Sequence, residues 1–450
     1  MPYWNRLSPE LQEAVIVVSA VLPFRSNEYV AREMIDWDRV PNDPMFQLTF
    51  PQKGMLGDDN YETIARLVRA GASHDDVARA AEKIRLQLNP HPAGQMTNNV
   101  PTHHGEPVAG VQHKYRETCL FFPRSGQTCH AYCTYCFRWA QFVGNADLKF
   151  ASREADTLVN YLRQHRWVTD VLFTGGDPMI MGTNVLRRYL EALLHPDLEH
   201  VQTIRIGTKA VAYWPQRFVT DPDADDLLAL FDSVVASGRH LALMGHYSHP
   251  TELSTEVAQD AVCRIRSTGA NVRMQSPLIR HVNDDATVWA DLWRTGVRLG
   301  AVPYYMFVER DTGARRYFEV PLVEGWEIFR RAYSRVSGLA RTVRGPMMSA
   351  WPGKVHILGV TDIGHERVFV LEYLQARDAS LVRQPFFARF DPTASWFDEL
   401  GPFSERDKQF FPDAKVPADS MQGQVGQGLA LDRAVRLSQE PRMSETRNKR

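Results

Sequence analysis

The chain has 450 residues, 44% hydrophobic and 23% charged, with a formal net charge of -1 at pH 7. That length suits one large barrel-type domain with additions, or two or three smaller ones, and the balanced charge speaks against a nucleic-acid partner. Five cysteines, three of them confined to positions 129–136, are too few and too clustered for a secreted disulfide framework, so a reducing cytoplasm is expected.

Residues 1–105 read as mostly helical. Ser8 and Pro9 have the chemistry of an N-cap and a first helical position. The apolar stretch 14–24 is broken by Ser19 and Pro23 and follows Glu10 and Glu13. It predicts a buried helix rather than a leader peptide, and no run is long enough for a membrane span. Further helices are predicted over 61–70 and 73–88, separated by Gly71. Residues 40–44 and 89–107 read as loops from their Pro, Gly, Asn and Asp content.

From about 117 the pattern changes. Strands are predicted at 119–122, 171–174, 203–206, 240–244, 271–274 and 302–307. Helices are predicted between them at 147–166, 186–194, 225–238, 254–269 and 285–299. Strands alternating with helices of this length imply parallel βαβ units. The expected fold is α/β, a partial (βα)6 barrel over 106–360 with reactive groups at the C-terminal strand ends. A hairpin is predicted from 355–358 and 367–371. Residues 361–411 read as an extension packing on the barrel through aromatics such as Phe386, Phe387, Trp396 and Phe403, and 412–450 as a flexible tail.

Cys129, Cys133 and Cys136 have the spacing C-x3-C-x2-C just after the first predicted barrel strand. Three thiolates this close can each ligate one iron of a [4Fe–4S] cube and leave the fourth iron open. An open iron can bind the amine and carboxylate of an amino acid. A structural zinc would need a fourth ligand, and His130, adjacent to Cys129, is a poor one. Gly175-Gly176-Asp177-Pro178 follows the second strand. Alone, it is a tight strand-to-helix turn.

Together these features resemble the radical S-adenosylmethionine (SAM) superfamily. Tyr135 stands before the third cysteine, where that signature is typically aromatic, and the Gly175–Asp177 turn resembles its GGE-type motif. A narrower resemblance, to the lysine 2,3-aminomutase family, covers about residues 35–360. It is carried by Pro41-Asn42-Asp43-Pro44, His113-Lys114-Tyr115, the 172–178 motif, Ile206-Gly207-Thr208-Lys209, His246-Tyr247-Ser248-His249-Pro250 with Glu252, Gln275-Ser276, Pro303-Tyr304-Tyr305, and Gly353-Lys354.

The resemblance implies a SAM-derived 5′-deoxyadenosyl radical and an amino group moved between the α and β carbons of an amino acid. It places the cluster on the three cysteines, and SAM against Gly175, Gly176, Asp177, Thr208, Lys209, His246 and Gln275. It also implies pyridoxal phosphate (PLP), with Lys354 as the Schiff-base lysine and Lys114 near the cofactor. Arg138 matches the residue that pairs with the substrate α-carboxylate. Arg310 falls where lysine-acting members carry an aspartate for the distal ammonium. The expected substrate is therefore an acidic or neutral amino acid and not lysine; the competing reading is that Arg310 is a surface residue of the 309–313 loop and Asp311 takes the site position. An electron donor such as flavodoxin or ferredoxin, and a homo-oligomer, are implied in the same way.

The chain departs from the family at several points, among them about two extra residues between the first strand and Cys129. The loop before Lys354 is shorter, Thr118 stands in place of a phosphate-gripping arginine, and no cysteine follows Cys263. An alternative reading is a PLP-independent radical SAM enzyme that modifies a peptide or natural product.

Overall fold

The computed structural model describes residues 3–89, 99–103, 105–143, 151–152 and 155–411. The tail expected at 412–450 lies outside the described residues, as do 147–150 and 153–154 of the predicted helix and 90–98 and 104 of the predicted loop; Ser152, predicted helical, instead bridges to Pro123.

The N-terminal region is helical. α1 (Pro9–Ser19) is capped by the Ser8 hydroxyl, which accepts from the Leu11 N–H at 3.4 Å, and it buries Ala14, Val15, Val17 and Val18. Asp43 caps α2 (Pro44–Thr49) by accepting from the Phe46 N–H at 2.8 Å. The stretch expected as loop thus ends in a helix start, because Asp-Pro is also an N-cap and first-turn pair. α3 (Asp58–Arg69) and α4 (His74–Leu88) follow. The loop predicted at 89–107 contains a small antiparallel ladder, Thr102–His103 against Glu106–Pro107.

Eleven strands of the described residues form one sheet in sequential order. They are β1 (Val111–Tyr115), β2 (Thr118–Phe121), β3 (Asp170–Phe173), β4 (Thr203–Thr208), β5 (His240–His246), β6 (Asn271–Leu278), β7 (Val302–Val308), β8 (Arg344–Ser349), β9 (Gly353–Ile363), β10 (Glu366–Ala376) and β11 (Pro385–Arg389). β2 to β8 are parallel, and antiparallel strands flank them on both sides. The six predicted barrel strands are present, and β8 continues them as a seventh. Its Gly345 and Pro346 read as breakers in the sequence.

The connecting helices are α5 (Ala155–Gln164), α6 (Thr183–Ala192), α7 (Ala224–Ala236), α8 (Glu256–Ser267), α9 (Ala286–Arg298) and α10 (Leu322–Ser334). Each lays an apolar face on the sheet; α7, for example, buries Leu227, Leu230, Phe231 and Val234. No helix among the described residues is long and apolar enough to cross a membrane.

The sheet curls so that β1 meets the turn between β8 and β9. Lys114 of β1 donates through its ammonium to the Ala350 carbonyl beyond β8, and the Lys354 ammonium lies 5.9 Å from the Tyr115 ring centre. Residue 360, the expected end of the barrel, falls inside β9. The C-terminal strands form a second core with Phe369, Leu371, Tyr373, Phe386, Trp396 and Phe410, joined by Val308 and Met348 of the barrel. Phe386 and Phe410 stack at 4.5 Å.

Candidate active site

The three cysteines sit on the loop after β2, at the C-terminal end of the parallel strands. The N-terminal region holds this loop in place. Arg25 donates to the Thr128 hydroxyl (3.1 Å) and the Cys129 carbonyl (2.9 Å). The Thr134 N–H and hydroxyl donate to the Leu48 and Gln47 carbonyls at 3.0 and 2.8 Å. His130 is turned elsewhere: it accepts from the Asn27 amide at 2.8 Å and stacks on Trp214 at 4.2 Å.

All three thiols are half-buried. Burial raises each, Cys136 to about 12, and neighbouring thiols add to the shift of Cys129 and Cys136. A bound metal reverses that balance, since a coordinating thiol is deprotonated outright. Among the described residues no three His, Cys, Asp or Glu side chains are grouped closely enough for a single metal ion, as a structural zinc would require. Three cysteine sulfurs with no further protein ligand are the donor chemistry of a cube with one open iron, and not of a four-ligand zinc.

The Gly175–Asp177 turn is packed directly beneath this loop. A Cβ on Gly176 would lie 2.4 Å from the Thr128 carbonyl oxygen, and one on Gly175, whose φ is +139°, would lie 2.1 Å from the Gln127 amide. The Asp177 N–H donates to the Thr128 carbonyl at 2.8 Å. The buried Asp177 carboxylate accepts from the Met179 N–H (2.9 Å), the Thr208 hydroxyl (2.7 Å), and the Lys209 and Ala210 N–H groups (2.8 and 2.9 Å). Its side chain and that of Thr208, both expected at SAM, tie the turn after β3 to the end of β4, while the Asp177 N–H holds the cysteine loop.

Lys209 lies beside the cluster loop. Its ammonium donates to the Ser248 hydroxyl at 3.2 Å, forms an ion pair with the fully buried Glu252, and sits 4.6 Å from the Tyr213 ring centre. The Cys133 thiol donates to the Tyr213 hydroxyl at 3.7 Å. On β5 and β6, the Gln275 amide donates to His246 Nε2 at 2.9 Å. Burial first, then Lys209 and Arg138, push His246 down to about 3, so its imidazole is neutral.

The remaining predicted residues form a basic interior. Arg138 lies over Phe122 (4.5 Å) and Phe137 (5.0 Å), and burial lowers it to about 10. Arg310 lies between Phe137 (5.7 Å) and Trp396 (5.3 Å), with the Asp311 carboxylate at 3.6 Å. The Lys354 ammonium is 4.5 Å from the Tyr305 ring centre. Burial first, then Arg205 and Arg344, push it down to about 7. Lys114 is lowered by burial, then by Arg377, Arg310 and Lys354. Thr118 donates to the Asp170 carboxylate at 2.9 Å and brings no charge.

No family model matches this chain. It is 31% identical over 382 residues to "Putative L-lysine 2,3-aminomutase" of Aquifex aeolicus, across 85% of this chain and 88% of that protein. The chain belongs to the lysine 2,3-aminomutase family. It is 28% identical over 272 residues to the L-lysine 2,3-aminomutase of Clostridium subterminale, across 60% of this chain and 62% of that one. Among solved structures, a radical SAM methyltransferase from Sphaerobacter thermophilus superposes with a TM-score of 0.38 at 15% identity, over 62% of this chain and 91% of that one, too loosely to argue from.

This lysine 2,3-aminomutase family member is therefore a radical SAM enzyme, and the family implies a [4Fe–4S] cluster and SAM. Several site residues of this family member have no local sequence signal. Arg25, Tyr213 and Trp396 reach the site from distant segments. Glu309, just beyond β7, is buried, and burial holds its carboxyl well above the usual range. Glu252, in contrast, lies inside the 246–252 motif, and its pairing with Lys209 depends on the fold.

Proposed function

We propose that this chain is a SAM- and PLP-dependent amino-acid aminomutase whose substrate is not lysine. The observation that carries this reading is Lys354. Its amine is enclosed over Tyr305 inside the curled sheet and is held near 7, so much of it is neutral at physiological pH. A neutral buried lysine is the form that condenses with a carbonyl.

Cys129, Cys133 and Cys136 would hold the cluster, and Lys354 with Lys114 would hold PLP. SAM on the open iron supplies the radical initiator, and PLP supplies the conjugated ring beside the migrating nitrogen. The chain's own residues do the rest. Arg138, fixed over two phenylalanine rings, takes the substrate α-carboxylate. Neutral His246 and Gln275 present polar groups without charge. Arg310 puts a cation where a lysine side chain would bring its ammonium, and like charges repel. An acidic or neutral side chain fits that environment.

The test is anaerobic purification, reconstitution with iron and sulfide, and incubation with PLP. A PLP absorption band that disappears in Lys354→Ala is expected. An iron–sulfur spectrum without such a band would overturn the PLP reading and favour PLP-independent chemistry. Release of 5′-deoxyadenosine should vanish in Cys133→Ala; persistent release would overturn the cluster assignment.

A further inference from the structure

Arg377 lies one residue beyond β10, outside the parallel barrel, yet its side chain is drawn into the turn that leads to Lys354. Its N–H donates to the Pro352 carbonyl at 2.9 Å and its Nε to the Trp351 carbonyl at 3.0 Å. Its guanidinium lies 3.9 Å from the Trp351 ring centre, and its Nη2 donates to the Asn99 side-chain carbonyl. Lys114, from β1, donates to Ala350 of the same turn. A cation of β1 and one just beyond β10 thus converge on three residues, Ala350, Trp351 and Pro352, that precede Lys354.

These cations are electrostatically incomplete. Both are driven toward the neutral form by burial, and the charges that act on Lys114 are Arg377, Arg310 and Lys354, all positive. Among the described residues no carboxylate within 4.0 Å pairs with Lys114 or Arg377. Buried charge without a counter-ion is costly, and an arriving anion would offset that cost.

We propose that Arg377 and Lys114 form a phosphate subsite beside Lys354, taking the phosphate group of PLP. The assignment of PLP rests on the function proposed above; the anion subsite does not. Nε and Nη2 of Arg377 are held by the Trp351 carbonyl and Asn99, which leaves Nη1 as its charge-assisted donor to a phosphate oxygen, and the Lys114 ammonium adds a point charge. Arg377 thereby supplies, from the C-terminal extension, the arginine charge that Thr118 does not bring.

Two measurements on the full-length, cluster-reconstituted protein test the subsite. In the first, inorganic phosphate is titrated and thermal unfolding followed. A rise in Tm in the native chain that is absent in Arg377→Gln and Lys114→Gln and retained in Arg377→Lys is expected. Equal responses in the native chain and both Gln variants, or no response in any, would overturn the proposal.

In the second, affinities for PLP and for pyridoxal, which lacks the phosphate, are compared by absorbance. The native preference for PLP should shrink at least about tenfold in either Gln variant, with pyridoxal affinity little changed. An unchanged preference would overturn the proposal. A phosphate response without any PLP or pyridoxal band would keep the anion subsite and reject the PLP reading, so the two failures are distinguishable. Lys114→Gln loses one hydrogen bond to Ala350 and serves where Arg377→Gln fails to fold.

Discussion

Gly176 and Thr128 meet backbone to backbone: a Cβ on the glycine would stand 2.4 Å from the Thr128 carbonyl oxygen and 2.5 Å from its nitrogen. Main-chain atoms cannot swing aside as a flexible side chain can. Gly176→Ala must therefore push the loop that carries Cys129 off its seat on β3. We expect iron per chain after reconstitution to fall severalfold, and 5′-deoxyadenosine release with it. Gly401→Ala, where nothing lies within 4 Å, is the control and should keep its iron. Normal iron content in Gly176→Ala would show that the contact can relax.

Glu252 is the buried counter-charge of Lys209. Its carboxylate also accepts from the His249 N–H at 3.0 Å and from the Ser248 N–H. Removing one partner of a buried pair strands the other, at about 3–5 kcal/mol. Glu252→Gln should lower denaturant stability by roughly 3 kcal/mol. The double variant Lys209→Met with Glu252→Gln should be less destabilised than the sum of the two single changes. Additive effects in that cycle would argue against coupling.

Lys354 predicts a pH dependence of stability with a definite sign. Its amine is held near 7 in the folded chain against the usual 10.5, so the unfolded chain binds more protons between those values. Stability from this residue therefore rises as pH increases from about 7 toward 10.5, and the full penalty is present below about 7. Lys354→Met should raise Tm most at pH 6.5 and least at pH 9. A gain that does not change with pH would contradict the lowered amine.

Arg310 should set the preference among substrates by charge. Losing one charge-assisted hydrogen bond weakens a bound carboxylate by about 1.5–3 kcal/mol, roughly 10- to 100-fold. Arg310→Gln is expected to raise KM for a dicarboxylic amino acid by that factor and to change a neutral one less. Equal changes for both would place Arg310 away from the substrate side chain.

Parts of this arrangement are legible in the chain alone because they are local. Ser8-Pro9 and Ser73 announce helix starts through capping chemistry, and the cysteine spacing is a property of eight consecutive residues. β8 is not legible, because Gly345 and Pro346 look like a turn until a parallel neighbour, β7, supplies the pairing. The role of Asp177 was half legible. Its place beside the two glycines is a sequence pattern, but its saturation by Thr208, Lys209 and Ala210 depends on β4 lying next to β3.

Periodicity and motif order determined by themselves the alternating barrel strands, the three clustered thiols and the family resemblance, since each depends on residues near one another in the chain. Tertiary structure alone decided which charges share a space. Arg377 with Lys114, Trp396 with Arg310, and Glu252 with Lys209 are all separated widely in sequence, and only the curl of the sheet and the C-terminal strands laid against it bring them together. Burial then determines what they do, because removing water turns a distant lysine or arginine from a solvated surface charge into a group that shifts its neighbours and calls for an anion.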